Sequence, residues 1–197
     1  IQTAWYENHL WIKLLSPVSF VFNIIASLRR KNLQKISWKP KQKIIVVGNL
    51  TVGGNGKTPF VIWLAKLLRK KGMKPGVISR GYKSNAVKFP LEVNHQTSVS
   101  ASGDEPKLIF NSTNCPVVIS PDRVEAAQFL LKKHNCDVII SDDGMQHYKL
   151  GRDMEIIVFD GLRGVGNSLC LPAGPLREPI ERSKDADFIV SSTKRLN

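Results

Sequence analysis

Six short runs of nearly unbroken apolar residues, at 44–47, 76–79, 117–120, 138–141, 156–159 and 188–191, limit the fold more than any other feature. Strands buried on both faces of a parallel sheet read this way, whereas half-exposed antiparallel strands alternate. Between the first two runs, Phe60, Leu64, Leu67 and Leu68 mark one face of a helix. Arg69, Lys70 and Lys71 follow at its negative dipole end, and Gly72 stops it. Between the third and fourth runs, Asp122 and Glu125 make a capping-box-like start for a helix over 124–133. Strands and helices in alternation predict an α/β class: a P-loop-like, doubly wound, mostly parallel sheet with right-handed crossovers. The polar stretch 85–102 fits a hairpin or a loop. The expected organisation is a helical segment over 1–40 and a core over 41–197.

The first apolar run leads into Gly48-Asn49-Leu50-Thr51-Val52-Gly53-Gly54-Asn55-Gly56-Lys57-Thr58-Pro59. A strand that enters a glycine-rich turn opening a helix is a phosphate cradle. Glycines let backbone N–H groups converge on anionic oxygens, and the helix N-terminus adds a favourable dipole. Thr51, Val52, Gly53, Gly54, Asn55 and Gly56 are the candidate nucleotide-binding loop. Lys57 is placed to reach the β- and γ-phosphates, and Thr58 to ligate Mg²⁺. Thr51 stands where the simplest P-loop has glycine, so the loop sits nearer the G-G-x-G-K-T class. That class carries a lysine where this chain has Val52, which argues against a membrane-recruited P-loop ATPase. A nucleotide-binding switch with no phosphoryl acceptor is the other competing reading.

A second motif, Asp142-Asp143-Gly144-Met145-Gln146-His147, follows the apolar run at 138–141. Aspartates are poor strand formers, and carboxylates at a strand end are where such folds hold the magnesium shell. The last run leads into Ser192-Thr193-Lys194-Arg195, without the aspartate that reads guanine, which favours ATP.

A formal charge of +13 calls for an anionic partner, but no zinc-finger or RNP-type motif is present, so nucleic acid is not expected. Cys115, Cys136 and Cys170 are odd in number and widely spaced, as small core residues rather than a disulfide frame. The first thirty residues are rich in Trp, Phe, Leu, Ile and Val, interrupted by Lys13 and Pro17 and closed by Arg29, Arg30 and Lys31. Such a segment suits a helix lying in a membrane interface with its cations near anionic headgroups, rather than one that crosses.

Taken in order, the loop, Ser79-Arg80-Gly81-Tyr82, Gly103-Asp104-Glu105-Pro106, the Asp142–His147 motif and Leu171-Pro172-Ala173-Gly174-Pro175-Leu176-Arg177-Glu178 resemble the tetraacyldisaccharide 4'-kinases along essentially the whole chain. Trp5 and Leu14-Leu15-Ser16-Pro17 are similar to that family's membrane-facing helix. The resemblance implies ATP- and Mg²⁺-dependent phosphorylation of the 4'-hydroxyl of the tetraacyldisaccharide 1-phosphate lipid A precursor. The reaction would take place at the cytoplasmic face of a Gram-negative inner membrane, by a peripheral or monotopic enzyme. It further implies Asp104 as general base, Lys57 and Arg177 as phosphate-stabilising cations, and Asp142 and Asp143 as magnesium ligands. Gln146 and His147 take supporting places. Read alone, Asp104 before Glu105-Pro106 is a helix N-cap. The family's chains continue past the position of Asn197 into a smaller domain that supplies a histidine. The resemblance therefore implies a partial chain that binds nucleotide with little turnover. The sequence leaves oligomeric state open.

Overall fold

A computed structural model describes residues 2–7, 9–53 and 56–192. The chain divides into two compact units. One comprises Ile1–Ile36, Asn49–Gly56 and Ile156–Asn197, and the other Ser37–Gly48 and Lys57–Glu155.

The second unit holds β1 (Lys43–Gly48), α3 (Lys57–Lys70), β2 (Pro75–Ser79), β3 (Leu91–Val93), α4 (Val99–Ser102), α5 (Asp104–Thr113), β4 (Val117–Ile119), α6 (Arg123–Lys133) and β5 (Val138–Asp142). Its strands lie in the order β3-β4-β2-β5-β1. All neighbours are parallel except β3, which runs antiparallel to β4 at the edge. The runs become strands because both faces are covered: all five residues of β2 and of β5 are buried.

Chain direction sets the layers. The step from β1 to β2 and the step from β2 to β4 move one way across the sheet, while the step from β4 to β5 moves back. Right-handed crossovers then put α3 and α5 on one face and α6 on the other. The contacts agree, since α3 packs beside α5 and α6 covers β2 and β4. This is the doubly wound arrangement the alternation predicts.

Four local expectations change. The buried face of α3 is Val61, Leu64 and Ala65 rather than one led by Phe60, because Phe60 stacks on exposed Trp63 with ring centroids 5.3 Å apart. At α6, Asp122 caps as expected, accepting from Val124 N (2.8 Å) and Glu125 N (3.3 Å). Glu125 does not reach back to close the box; it accepts from Ser120 Oγ at 2.8 Å, and Ser120 Oγ takes the Asp122 N–H instead. Asp104 is the first residue inside α5 and Gly103 is its cap, so Asp104 is no N-cap. The polar stretch 85–102 is neither a free loop nor a hairpin: it carries β3 and the short α4, capped by Ser98.

The first unit holds α1 (Gln2–Tyr6), a 3₁₀ helix (Leu10–Leu15), α2 (Ser16–Lys35), β6 (Met154–Asp160, of which 156–160 lie here), a 3₁₀ helix (Ile180–Asp185) and β7 (Phe188–Ser192), with β6 and β7 parallel. Pro17 does not interrupt α2. It sits in the first turn, where a missing N–H costs nothing. Trp5 departs from its expected membrane-facing place: it is 7% exposed, packs with Ala4, Ile12 and Ala173, and donates its indole N–H to Pro172 O at 3.1 Å. What α2 leaves exposed is Val18, Phe20, Val21, Ile24, Ile25 and Leu28, with Leu14 just before it. Among the described residues no helix is long and apolar enough to cross a membrane. All three cysteines are buried and unpaired, as expected of core residues.

Candidate active site

Parallel strands place their carboxyl ends along one edge of the sheet, where the loops that carry chemistry collect. In the second unit that edge receives the ends of β1, β2, β4 and β5 and the start of α5. Asp142 closes β5 and is 1% exposed. Its Oδ2 accepts from Ser79 Oγ, at the end of β2, at 3.3 Å, while Oδ1 has no hydrogen-bond partner. A carboxylate so buried favours its neutral form. Burial first, then the charges of Glu105 and Asp143, push Asp142 up to about 7, against the opposing cations Lys57 and Arg123. Next along the chain, Asp143 turns in the left-handed region at φ 48°, and its Oδ1 lies 3.5 Å from Lys57 Nζ. Lys57 and Thr58 are the first two residues of α3, and both are buried.

Asp104 and Glu105 form the exposed first turn of α5. Asp142 feels the charge of Glu105, which puts this acidic turn beside the end of β5. The approach depends on Gly103, at φ 85°: a Cβ there would come within 2.7 Å of the Tyr82 carbonyl oxygen. Two motifs distant in sequence, Ser79–Tyr82 and Gly103–Pro106, therefore adjoin. Gln146 and His147 follow Gly144 in the loop after β5, half-buried, with His147 N donating to Gly144 O at 3.0 Å.

Three further residues border Asp142. Arg123, the first residue of α6, is 2% exposed and donates to Ser120 O (2.9 Å) and to the main-chain oxygen of Asp142 (3.2 Å). Burial lowers its guanidinium to about 10, opposed by Asp142 and Asp143. The Asp122–Glu125 cap pattern around it masked it. Ser79 and Glu105 lay inside recognisable motifs but were assigned no part.

The first unit holds the glycine loop, Asn49–Gly56. Val52 N donates to Pro175 O (2.8 Å), Arg177 N donates to Leu50 O (2.6 Å), and Thr51 bridges Leu176 in antiparallel fashion. Thr51 and Leu50 are buried, Val52 and Arg177 half-buried, and Gly53 is exposed at φ 116°, a conformation only glycine adopts freely. The loop and the Leu171–Glu178 motif are thus paired strand to strand. Gly54 and Asn55, and the residues past 192 that bear on the base read, lie outside the described residues. Gly56 has φ 74° just before α3.

The donor set suits a magnesium ion that completes its shell from a nucleotide. Mg²⁺ takes one or two carboxylates plus phosphate oxygens rather than an all-protein cage. Asp142 offers a buried oxygen with no partner, and among the described residues no group of three or more His, Cys, Asp or Glu forms a cage.

A glycine loop between strand and helix, lysine and threonine opening that helix, and paired aspartates at the end of a neighbouring parallel strand define a P-loop-like α/β protein. The sequence model of the tetraacyldisaccharide-1-P 4'-kinase family, LpxK, matches residues 11–197. The chain belongs to that family. The tetraacyldisaccharide 4'-kinase of Legionella pneumophila (strain Lens) is 50% identical over 191 residues, spanning 96% of this chain and 59% of that protein. The Haemophilus influenzae (strain 86-028NP) 4'-kinase is 51% identical over 191 residues, spanning 95% and 58%. A crystal structure of LpxK from Aquifex aeolicus in complex with ATP superposes with a TM-score of 0.83 at 36% identity, covering 95% of this chain and 61% of that one. The chain therefore spans about three-fifths of the length of the curated relatives it matches.

Proposed function

We propose that this chain carries the nucleotide-binding and catalytic machinery of a lipid kinase that moves the ATP γ-phosphate to the 4'-hydroxyl of a tetraacyldisaccharide 1-phosphate. The observation that carries this reading is the gathering of Lys57, Asp142, Asp143 and the acidic first turn of α5 at the carboxyl edge of one parallel sheet, in a chain of this family.

Phosphoryl transfer asks a protein mostly to position groups and offset charge. The glycine loop, Thr51 through Gly56, wraps the nucleotide phosphates with backbone N–H groups, and Lys57 gives the β- and γ-phosphates a cation. Thr58, Asp142 and Asp143 would hold Mg²⁺, which would supply positive charge to offset that of the transferring phosphoryl group. Asp104 stands exposed, able to meet an acceptor from outside. It takes the proton of the sugar hydroxyl as that oxygen bonds to the γ-phosphorus and the bond to the ADP oxygen breaks. Arg177 adds positive charge toward the transferring phosphate or the lipid, and Gln146 and His147 line the site.

The test is transfer of labelled γ-phosphate to the disaccharide lipid in detergent micelles, in a polypeptide of the relatives' full length. Lys57→Ala is expected to cut transfer by at least about 100-fold, the scale set by losing one preorganised electrostatic group. Transfer that survives this substitution, or that never appears in the wild type, overturns the reading.

The apolar face of α2, followed by Arg29, Arg30 and Lys31, supports residues 1–40 as the part that lies on the inner membrane's cytoplasmic surface. Paired Val21→Asp and Ile25→Asp substitutions are expected to abolish co-sedimentation with anionic phospholipid vesicles while leaving nucleotide affinity intact. Undiminished sedimentation would remove α2 from that role.

A further inference from the structure

The loop from the aspartate pair to β6 is irregular in backbone but closely packed. Met145, Tyr148 and Leu150 are buried. Backbone groups serve part of it, with Leu150 N donating to His147 O at 3.0 Å and Trp38 N to Lys149 O at 2.8 Å, and side-chain donors supply more.

One side chain does so three times. Arg152 Nη1 donates to Met145 O at 3.0 Å, and Nη2 donates to His147 O at 3.1 Å and to Leu150 O at 3.4 Å. Glu155, itself nearly buried, holds the guanidinium with Oε2 2.8 Å from Nη1. The Tyr148 ring lies against the guanidinium, 5.0 Å from its central carbon. A planar fork with five donors can serve three carbonyls and a carboxylate together, which a lysine ammonium cannot. The far end of the loop is fixed as well: Asp153 accepts from Ile44 N (3.0 Å), at the start of β1, and from Lys43 Nζ (3.0 Å). Gln146 and His147 sit inside the span that Arg152 gathers.

We propose that Arg152 is a positioning residue, which holds the Met145–Leu150 backbone so that Gln146 and His147 stay registered beside Asp142 and Asp143. The inference rests on reading those two residues as parts of the proposed kinase site. Arg152 acts through the loop, its guanidinium being held by loop carbonyls, Glu155 and the Tyr148 ring.

The experiment is a double-mutant cycle of Arg152→Gln and His147→Ala in the full-length enzyme, combined with NMR of the histidine rings. Arg152→Gln is expected to lower kcat about 30-fold, within the range for residues that orient a site's own ligands. His147→Ala, costly in the wild type, should then cost little further in the Arg152→Gln background. Arg152→Lys should not restore the rate. In the same variants the His147 ring resonance should move while those of His9, His95 and His134 stay in place. Independent, multiplying losses, a wild-type rate in Arg152→Gln, or an unmoved His147 resonance would each overturn the proposal. If the wild type transfers no phosphate to the lipid, the proposed function fails, and the histidine spectra alone decide whether Arg152 positions this loop.

Discussion

Asp142→Asn is expected to make the protein more stable in the absence of nucleotide and metal, and catalytically dead in their presence. Burial, Glu105 and Asp143 raise the folded-state Asp142 to about 7, against an ordinary value of 3.8. Below the ordinary value the carboxyl is neutral in folded and unfolded chains alike, and it costs nothing. As pH climbs through the window to about 7, the unfolded chain releases this proton and the folded chain keeps it. Stability therefore falls across that window and stays low above it. The loss is on the order of 4 kcal/mol, roughly three pKa units at about 1.4 kcal/mol each. An amide at this position stays neutral at every pH, can still accept from Ser79, and aims N–H where Asp142 now aims an unpartnered oxygen. Thermal midpoints of variant and wild type should coincide near pH 4 and separate in the variant's favour by pH 8. Magnesium-dependent nucleotide affinity and transfer should vanish. A variant less stable than wild type at pH 8 would mean that the carboxylate holds the fold together rather than waiting for a cation.

Asp104→Ala carries the second large effect. Loss of a general base costs about 10²–10⁴-fold in turnover. Asp104 is exposed in the first turn of α5, whose cap is Gly103. Its structural share is therefore limited to the helix dipole, roughly 0.3–1 kcal/mol. The expected pattern is a collapsed kcat, an ATP KM within about twofold of wild type, and nearly unchanged denaturant stability, as for a group used only in the transition state. A fall in stability with transfer intact would return Asp104 to an ordinary place in a helix's first turn.

The two predictions draw on unequal kinds of sequence signal. The parallel sheet was legible because a strand covered on both faces must be apolar at every position, as 138–141 are. The phosphate loop was legible because backbone curvature of that kind requires glycines at fixed places. Asp142 stood out because an aspartate rarely ends a buried strand without use. Arg123 and Arg152 left no pattern, since each is fixed by main-chain oxygens whose positions exist only after folding. Trp5 misled for a related reason. An aromatic near a hydrophobic segment looks the same whether it meets lipid or Ala173. The spacing encodes the cap at Asp122 but not its partner, because Ser120 competes for Glu125 through a turn that exists only in the fold.

The pairing of Leu50, Thr51 and Val52 with Pro175, Leu176 and Arg177 bears on the order in which the molecule comes into being. A nascent chain that has just passed α3 already contains every letter of the phosphate loop, yet lacks the strand that braces it. Closing a contact across more than 120 residues carries an entropic cost, repaid only once the rest of the surrounding unit can pack. Residue 177 must therefore leave the ribosome before the loop at residue 50 gains the backbone partners that brace it.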